Sequence, residues 1–494
     1  LGATKRRANS TSNIKRERVI TIMDAAGRSA VPGRTIGGAA ARKPRLFGRN
    51  ESVYASGEEG RRMLTLEQND RLTRVGPGTP CGNLMRRYWH PVAAVTQMKD
   101  KFTKKVRLLG EDLILYKDLS GTYGLVDNFC PHRRMSMIYG VPEEQGLRCA
   151  YHGWLFDEAG RCLEQPYEEA EDPDGRFREK VCIKAYPVQE MAGLLFAYLG
   201  PRPAPLLPRW DVYTMEGMVR DMGYAVLPCN WLQCQENSLD PVHLEWLHVR
   251  FANYVLDRMG RPDVRIKHVR HARIGFDEFE YGIVKRRIVE GGSEDHTSWK
   301  DGHPIVFPNM LRQGGSGDGE PGIGPNGPTF QIRVPIDDTH TGHWWVNSYP
   351  RQAGEAEQRS EDVPLYFPKV VDLDAEEQPV WAELDTNSAQ DPAAWISQGD
   401  ISDRSLENLG RSDKGIILFR KMLEDNIRIV ERGGDPLNVF RDPEKNQYLW
   451  MRTERGEGGL GISVLTRQGA SIKYSPILDA RGMAKPLEAP AGVS

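Results

Sequence analysis

Two short loops constrain this chain more than any other part of it. Cys130-Pro131-His132 and Cys149-Ala150-Tyr151-His152 supply two thiols and two imidazoles, with sixteen residues between the halves. Pro131 and Gly153 flank them, and Gly140 and Pro142 lie between. That is the layout of two loops at the tips of β-hairpins. Two thiolates and two neutral imidazoles complete a metal coordination set. With both cysteines on one iron and both histidines on the other, they would hold a [2Fe–2S] cluster. Histidine in place of thiolate lowers the negative charge on its iron, raises the potential and makes a one-electron relay. A structural zinc ion also accepts two Cys and two His. Zinc sites usually take both cysteines from one half and both histidines from the other, whereas here each half supplies one of each. Tyr151 and Trp154 would help keep the site dry.

The composition fits a metalloprotein without disulfides. Seven cysteines in 494 residues is an odd, low count, which points to a reducing compartment and a cytoplasmic protein. Cys81, Cys162, Cys182, Cys229 and Cys234 are expected to be ordinary buried thiols. A formal net charge of -2 argues against a nucleic-acid binder held by bulk charge. Mean hydropathy is -0.55, and the longest apolar runs (191–200 and 415–419) are too short to span a membrane. No apolar stretch suited to a secretory signal follows the basic start.

The chain reads as three parts. Residues 1–62 hold 14 Lys+Arg against 5 Asp+Glu without sustained periodicity, and are expected to be a disordered basic arm. Residues 63–205 are β-rich and carry the two loops. Within them VRLLGEDLILYKD (106–118) reads as a hairpin turning at Gly-Glu-Asp, and the proline run near 205 reads as a linker. Residues 206–494 mix helix and strand. Residues 329–350 read as two strands around DDTHTG. Residues 412–434 read as an amphipathic helix with Ile416, Phe419, Leu423, Ile427 and Val430 inward, Ser412 capping and Gly433 terminating.

A second constellation follows the linker. Asp240, His243 and His248 stand as D-x2-H-x4-H in NWLQCQENSLDPVHLEWLH (230–248). Two imidazoles and one carboxylate form the face of a non-haem Fe(II) site that leaves positions open for O2 and substrate. The spacing carries a geometric cost. Residues five apart on a regular α-helix are about 500° around, roughly 140° off a shared face. The sequence therefore predicts a π-bulge or a break between the histidines. Taken singly, either histidine is better read as an ordinary helix residue. Asp240 precedes Pro241, so it reads either as a helix cap or as a carboxylate orienting a histidine. Both hold only if its two oxygens serve different partners.

The two motifs in this order resemble the α subunit of a Rieske non-haem iron oxygenase, in the phthalate-dioxygenase-like branch. The stretches carrying the resemblance are RVGPGTPCGNLMRRYWHPVA (74–93), CPHRRMSM (130–137), CAYHGWLFDEAGRC (149–162), VPIDDTHTGHWW (334–345) and the run beginning QDPAAWISQGD at 390. It covers roughly 63–470. It implies an α+β protein: a β-rich Rieske [2Fe-2S] domain, then a helix-grip catalytic domain on an antiparallel sheet. It implies Cys130, His132, Cys149 and His152 as cluster ligands and His243, His248 and Asp391 as ligands of a mononuclear Fe(II). Sequence alone does not choose Asp391 over Asp385, Asp400 or Asp403, and Asp391-Pro392 also reads as a helix cap. Asp240 and Asn237 are the further catalytic candidates, with Asp240 bridging the two centres in a head-to-tail homotrimer.

The resemblance also implies electrons from NAD(P)H through a separate reductase, since GIGPNG (322–327) lacks the strand–helix context of a dinucleotide site. The substrate it implies is an aromatic compound, carboxylated, that is hydroxylated or O-demethylated with O2. The stretch 303–315 leans toward the O-demethylases. The basic stretch 263–275 reads as a solvated face or as a site for a substrate carboxylate. The competing classes are a Rieske electron carrier without oxygenase activity and a zinc-stabilised binding module.

Overall fold

The expected hairpin at 106–118 forms from Thr103–Leu108 and Glu111–Lys117, with Leu108 opposite Glu111. Its turn lies one residue earlier than expected. Leu109 (φ 49°) and Gly110 (φ 79°) occupy the two central positions, and Glu111 and Asp112 already belong to the strand. Two consecutive positive φ values match the twist of a two-residue hairpin. Leu109 tolerates its value because it is fully buried. The turn amides of Leu109 and Gly110 donate to the carbonyls of Pro335 and Ile336.

The computed structural model describes residues 64–171, 174–268, 270–314, 327–370, 373–454 and 473–482. The basic arm 1–62, GIGPNG except its last glycine, and the chain after 482 lie outside the described residues.

Before residue 200 the strands form three small antiparallel sheets. One joins the hairpin to Tyr123–Asp127 and Ala185–Tyr186. A second contains Val141–Pro142, Leu147–Arg148, Leu155–Phe156 and Cys162–Glu164. These two close over a core of Ile114, Tyr116, Val126, Leu147, Phe156 and Ile183. The third pairs Leu194–Tyr198 with Trp89–Ala94 and Val188–Met191.

After residue 217 one eight-stranded sheet dominates, antiparallel except where Leu365–Tyr366 joins Met218–Leu227 in parallel. The strands expected around DDTHTG are Thr329–Pro335 and Thr341–Pro350, with Pro335 opposite Thr341. The amphipathic helix spans Lys414–Glu431 and buries Phe419, Leu423, Ile427 and Val430. Ser412 does not cap it: a short 3-10 turn, Arg411–Asp413, leads in instead. Gly433 (φ 81°) ends it, and the Gly434 amide returns to the Ile429 carbonyl. At Gly415 this helix comes so close to the sheet that an added Cβ would lie 2.4 Å from the Phe276 ring. The architecture is therefore a β-rich lobe followed by helices gripping a large antiparallel sheet, as expected for the α+β class.

A buried ion cluster locks the helix Trp231–Asn237 in place. Glu236 accepts from Arg404 at 2.8 Å and from Arg420 at 2.6 Å. Burial alone would raise its pKa, but the two guanidinium charges hold it at about 2.

Candidate metal centres

Both cysteine–histidine loops are built by backbone hydrogen bonds. The Cys130 amide donates to the Met135 carbonyl at 2.9 Å, and the Cys149 amide to that of Trp154 at 2.8 Å. Arg134 (φ 61°) and Gly153 (φ 79°) provide the left-handed residues that turn each loop. Cys130 and Cys149 are buried, whereas His132 is half-buried and His152 exposed. The His132 and His152 rings lie 4.4 Å apart, and the Trp154 indole stacks on His132 at 4.3 Å and 6°. Burial next to Cys149 pushes the Cys130 thiol up to about 12, so ionising it calls for a cation. Burial, followed by the His152 charge, lowers the His132 pKa and favours the neutral form that ligates metal.

Ligands of one tetrahedral zinc, at about 2.0–2.3 Å from the metal, lie within about 4 Å of one another. Among the described residues, only His243, His248 and Asp391 bring three donor atoms within 4.8 Å of each other. Two thiolates and two imidazoles, one of each from either loop, suit a pair of irons with both thiolates on one and both imidazoles on the other.

The second site grows from the helix Trp231–Asn237 and its continuation. After one α-helical turn, His243–Glu245, the chain widens into a π-helical turn, Trp246–Phe251, before Ala252–Arg258 resumes the α-helix. This is the distortion that the five-residue spacing demands, and it sets the two rings 5.1 Å apart at 80°. Asp391 arrives on another helix, Asn387–Ile396. Its Oδ1 is 3.1 Å from His248 Nε2 and 3.9 Å from His243 Nε2. Helix capping does not explain Asp391, because Thr386 occupies the N-cap and Pro392 lies inside the helix. Of the other aspartates, Asp385 pairs with Lys473, Asp403 binds Ser405, and Asp400 is exposed. Burial opposes ionisation of Asp391, but the neighbouring His248 and His243 and the Asn237 amide hold its pKa at about 2.

Flanking groups hold the His248 imidazole and the Asp391 carboxylate at this point. His248 Nδ1 donates to Gln390 Oε1 at 2.9 Å, which leaves Nε2 as the lone-pair nitrogen. Gln390 cannot be turned round, because its Nε2 donates to the Leu384 carbonyl at 2.8 Å. Asn237 Nδ2 donates to Asp391 Oδ1 at 3.1 Å. Asp240 does not cap the helix, whose N-cap is Val242, and its two oxygens face different groups. Oδ1 accepts from the Val242 amide at 2.7 Å, and Oδ2 faces His243 Nδ1 at 3.6 Å, beyond hydrogen-bond range. His243 Nδ1 has no hydrogen-bond partner among the described residues. A chelating set of two imidazoles and one carboxylate fits Fe(II).

The arginines of the basic stretch 263–275 lie on a solvated face where described, with Arg265 paired to Asp257 and Arg273 over Trp299, whereas Ile266 is buried and the His271 side chain turns inward onto Glu245. Cys182 is exposed, against the expectation that all five remaining thiols are buried; the other four are buried. Gln390 was missed in the sequence, although a carboxamide beside a candidate ligand is a usable signal. Lys285, Arg287 and His303, buried on the sheet, gave no signal at all.

Residues 88–187 match the family described as Rieske [2Fe-2S] domain, and residues 369–447 match LigXa C-terminal domain like. The 5,5'-dehydrodivanillate O-demethylase oxygenase subunit of Sphingobium sp. is 44% identical over 393 residues, covering 79% of this chain and 87% of the relative. The phthalate 4,5-dioxygenase oxygenase subunit of Pseudomonas putida is 30% identical over 414 residues, covering 75% and 88%. In fold, the chain is similar to the caffeine-bound NdmA QL mutant of Pseudomonas putida CBB5, with a TM-score of 0.52 at 18% identity over 73% of this chain and 96% of that one. No helix among the described residues is long and apolar enough to cross a membrane.

Proposed function

Because this chain belongs to the Rieske non-haem iron oxygenases, as a terminal oxygenase subunit, we propose that it O-demethylates a methoxylated aromatic carboxylate. The observation that carries the oxygenase reading is the convergence of His243, His248 and Asp391 on one point. An electron carrier needs no such second site. The demethylation reading is supported by the relative at 44% identity.

In this reading Cys130 and Cys149 bind one iron of the cluster and His132 and His152 the other, within a domain spanning 63–205. His243, His248 and Asp391 hold Fe(II) in a catalytic domain spanning 206–494. Loaded in this way, the site supplies reductive activation of O2. The chain's own residues do the rest. Gln390 fixes the His248 tautomer, Asn237 orients Asp391, and Asp240 presents Oδ2 toward His243 Nδ1. The overall balance is Ar–OCH3 + O2 + 2 e− + 2 H+ → Ar–OCH2OH + H2O. The hemiacetal then breaks its C–O bond to give the phenol and formaldehyde.

Electrons come from NAD(P)H through a separate reductase. A head-to-tail homotrimer would bring the exposed His152 edge of one subunit to the Asp240 side of the next. The exposed Tyr151 and half-exposed Trp246 supply apolar surface for such a closed heterologous contact. The test is O2 uptake with a generic reductase on methoxylated aromatic acids. Stoichiometric formaldehyde supports demethylation, and its absence with O2 consumed supports ring hydroxylation. Iron analysis separates the classes: about three Fe per chain for an oxygenase, about two for an electron carrier, and zinc alone for a binding module.

A further inference from the structure

The sheet turns one face toward the helices that carry the iron-site residues, and that face is unusually cationic. Strand Gly282–Val289 alternates, so Ile283, Lys285 and Arg287 share a face. Lys285 pairs across the sheet with Phe276 on one side and His303 on the other. Phe276 packs at Gly415 of the long helix, beside the Leu239 carbonyl that precedes Asp240. Further along the same face, Arg333 and His343 meet the Trp395 ring of the Asp391 helix.

Lys285 is 5% exposed, and no carboxylate lies within 4 Å of its ammonium among the described residues. Arg287 pairs with Glu454, yet its Nε has no partner, nor does either ring nitrogen of His303. Of the two buried cations, only Arg287 has a close carboxylate. Asp240, Glu454 and Asp391 act on Lys285 only at longer range, and burial followed by the Arg287 charge brings its pKa down to about 8. His303 is kept neutral by burial and by both cations. A buried ammonium without a close counter-ion is costly unless something anionic arrives. Such groups mark binding sites.

We propose that Lys285, supported by Arg287 and His303, is the anion subsite that receives the carboxylate of the aromatic substrate. This rests on the oxygenase reading above and deepens it. The carboxylate would sit against the sheet while the ring reaches toward His243, His248 and Asp391. The ligand class is an aromatic acid, not its ester or amide, because only the ionised group satisfies the cation.

The test is equilibrium binding to the iron-loaded protein under nitrogen, so turnover plays no part. The probes are 5,5'-dehydrodivanillate and its dimethyl ester, measured calorimetrically with wild type, Lys285→Met and Lys285→Arg. Wild type should bind the acid at least about 30-fold more tightly than the ester. Lys285→Met should weaken the acid about 30-fold or more and the ester less than about threefold. Lys285→Arg should recover most of the loss. Unchanged cluster absorption and circular dichroism establish that the variants are folded. The proposal falls if Lys285→Met binds the acid like wild type, if acid and ester weaken alike, or if wild type binds neither. Acid binding that depends on Lys285, together with no formaldehyde in the separate O2-uptake assay, would overturn the demethylase reading and leave the subsite standing.

Discussion

Replacing Gln390 by Leu tests how firmly the mononuclear site depends on residues beyond its three donors. Gln390 is fully buried and makes two bonds: its carbonyl accepts from His248 Nδ1 at 2.9 Å, and its amide donates to the Leu384 carbonyl at 2.8 Å. Leucine has similar bulk and makes neither. The imidazole then loses the acceptor that fixes its tautomer and raises its basicity. Such a loss weakens metal binding about 10- to 100-fold, or about 1.4–2.7 kcal/mol. The orphaned Leu384 carbonyl and His248 N–H add about 1–3 kcal/mol each of instability. Chelator titration under nitrogen reads the affinity, with the cluster absorption as an internal control. Gln390→Glu keeps an acceptor for His248 but gives up the Leu384 bond, so it should retain iron better than the leucine variant. Iron affinity within about twofold of wild type in Gln390→Leu would refute the reasoning.

Other outcomes follow from the same geometry. His243→Ala should abolish turnover, lower iron from about three to about two per chain and leave the cluster absorption intact; loss of that absorption would make the residue structural. Glu236 has a folded pKa of about 2 against an ordinary 4.5. A depressed carboxyl pKa stabilises the fold above pH 4.5, and this contribution, about 3 kcal/mol, is lost as pH falls toward 2. Glu236→Gln should therefore lower the melting temperature at pH 7 and flatten its fall between pH 4.5 and 2; an unchanged melting temperature at pH 7 contradicts this. Gly415→Ala would drive a Cβ to 2.4 Å from the Phe276 ring and should cost about 1–3 kcal/mol in denaturant titration.

Much of the site could be read locally. The two loops announce themselves because each carries its donors within four residues, between turn formers. The π-turn followed from arithmetic: five residues do not return to one face of an α-helix, so bringing His243 and His248 to one point required an extra residue in the turn. The long helix showed its buried stripe at 3–4 residue steps. Other details misled for equally local reasons. Gly-Glu-Asp looked like the hairpin turn, but the backbone chose Leu109-Gly110, where burial offsets the strain on leucine. Ser412 looked like a cap, but a 3-10 turn took that place. Asp391-Pro392 looked like a helix start, although the helix begins at Asn387.

The sequence by itself determined the chemistry on offer: a cysteine–histidine pair of loops, a histidine pair spaced for a distorted helix, and an alternating pattern that builds sheets. Periodicity and turn chemistry act over a few residues, so these features survive in one dimension. Only the tertiary structure decided which carboxylate completes the second site, because Asp391 lies far along the chain and three other aspartates compete for the role. It also decided that Gln390 holds His248 and that Lys285 lies buried without a close counter-ion. Such facts depend on which face of a strand or helix meets which neighbour. That is settled when the sheet packs against its helices, and the local pattern of residues does not record it.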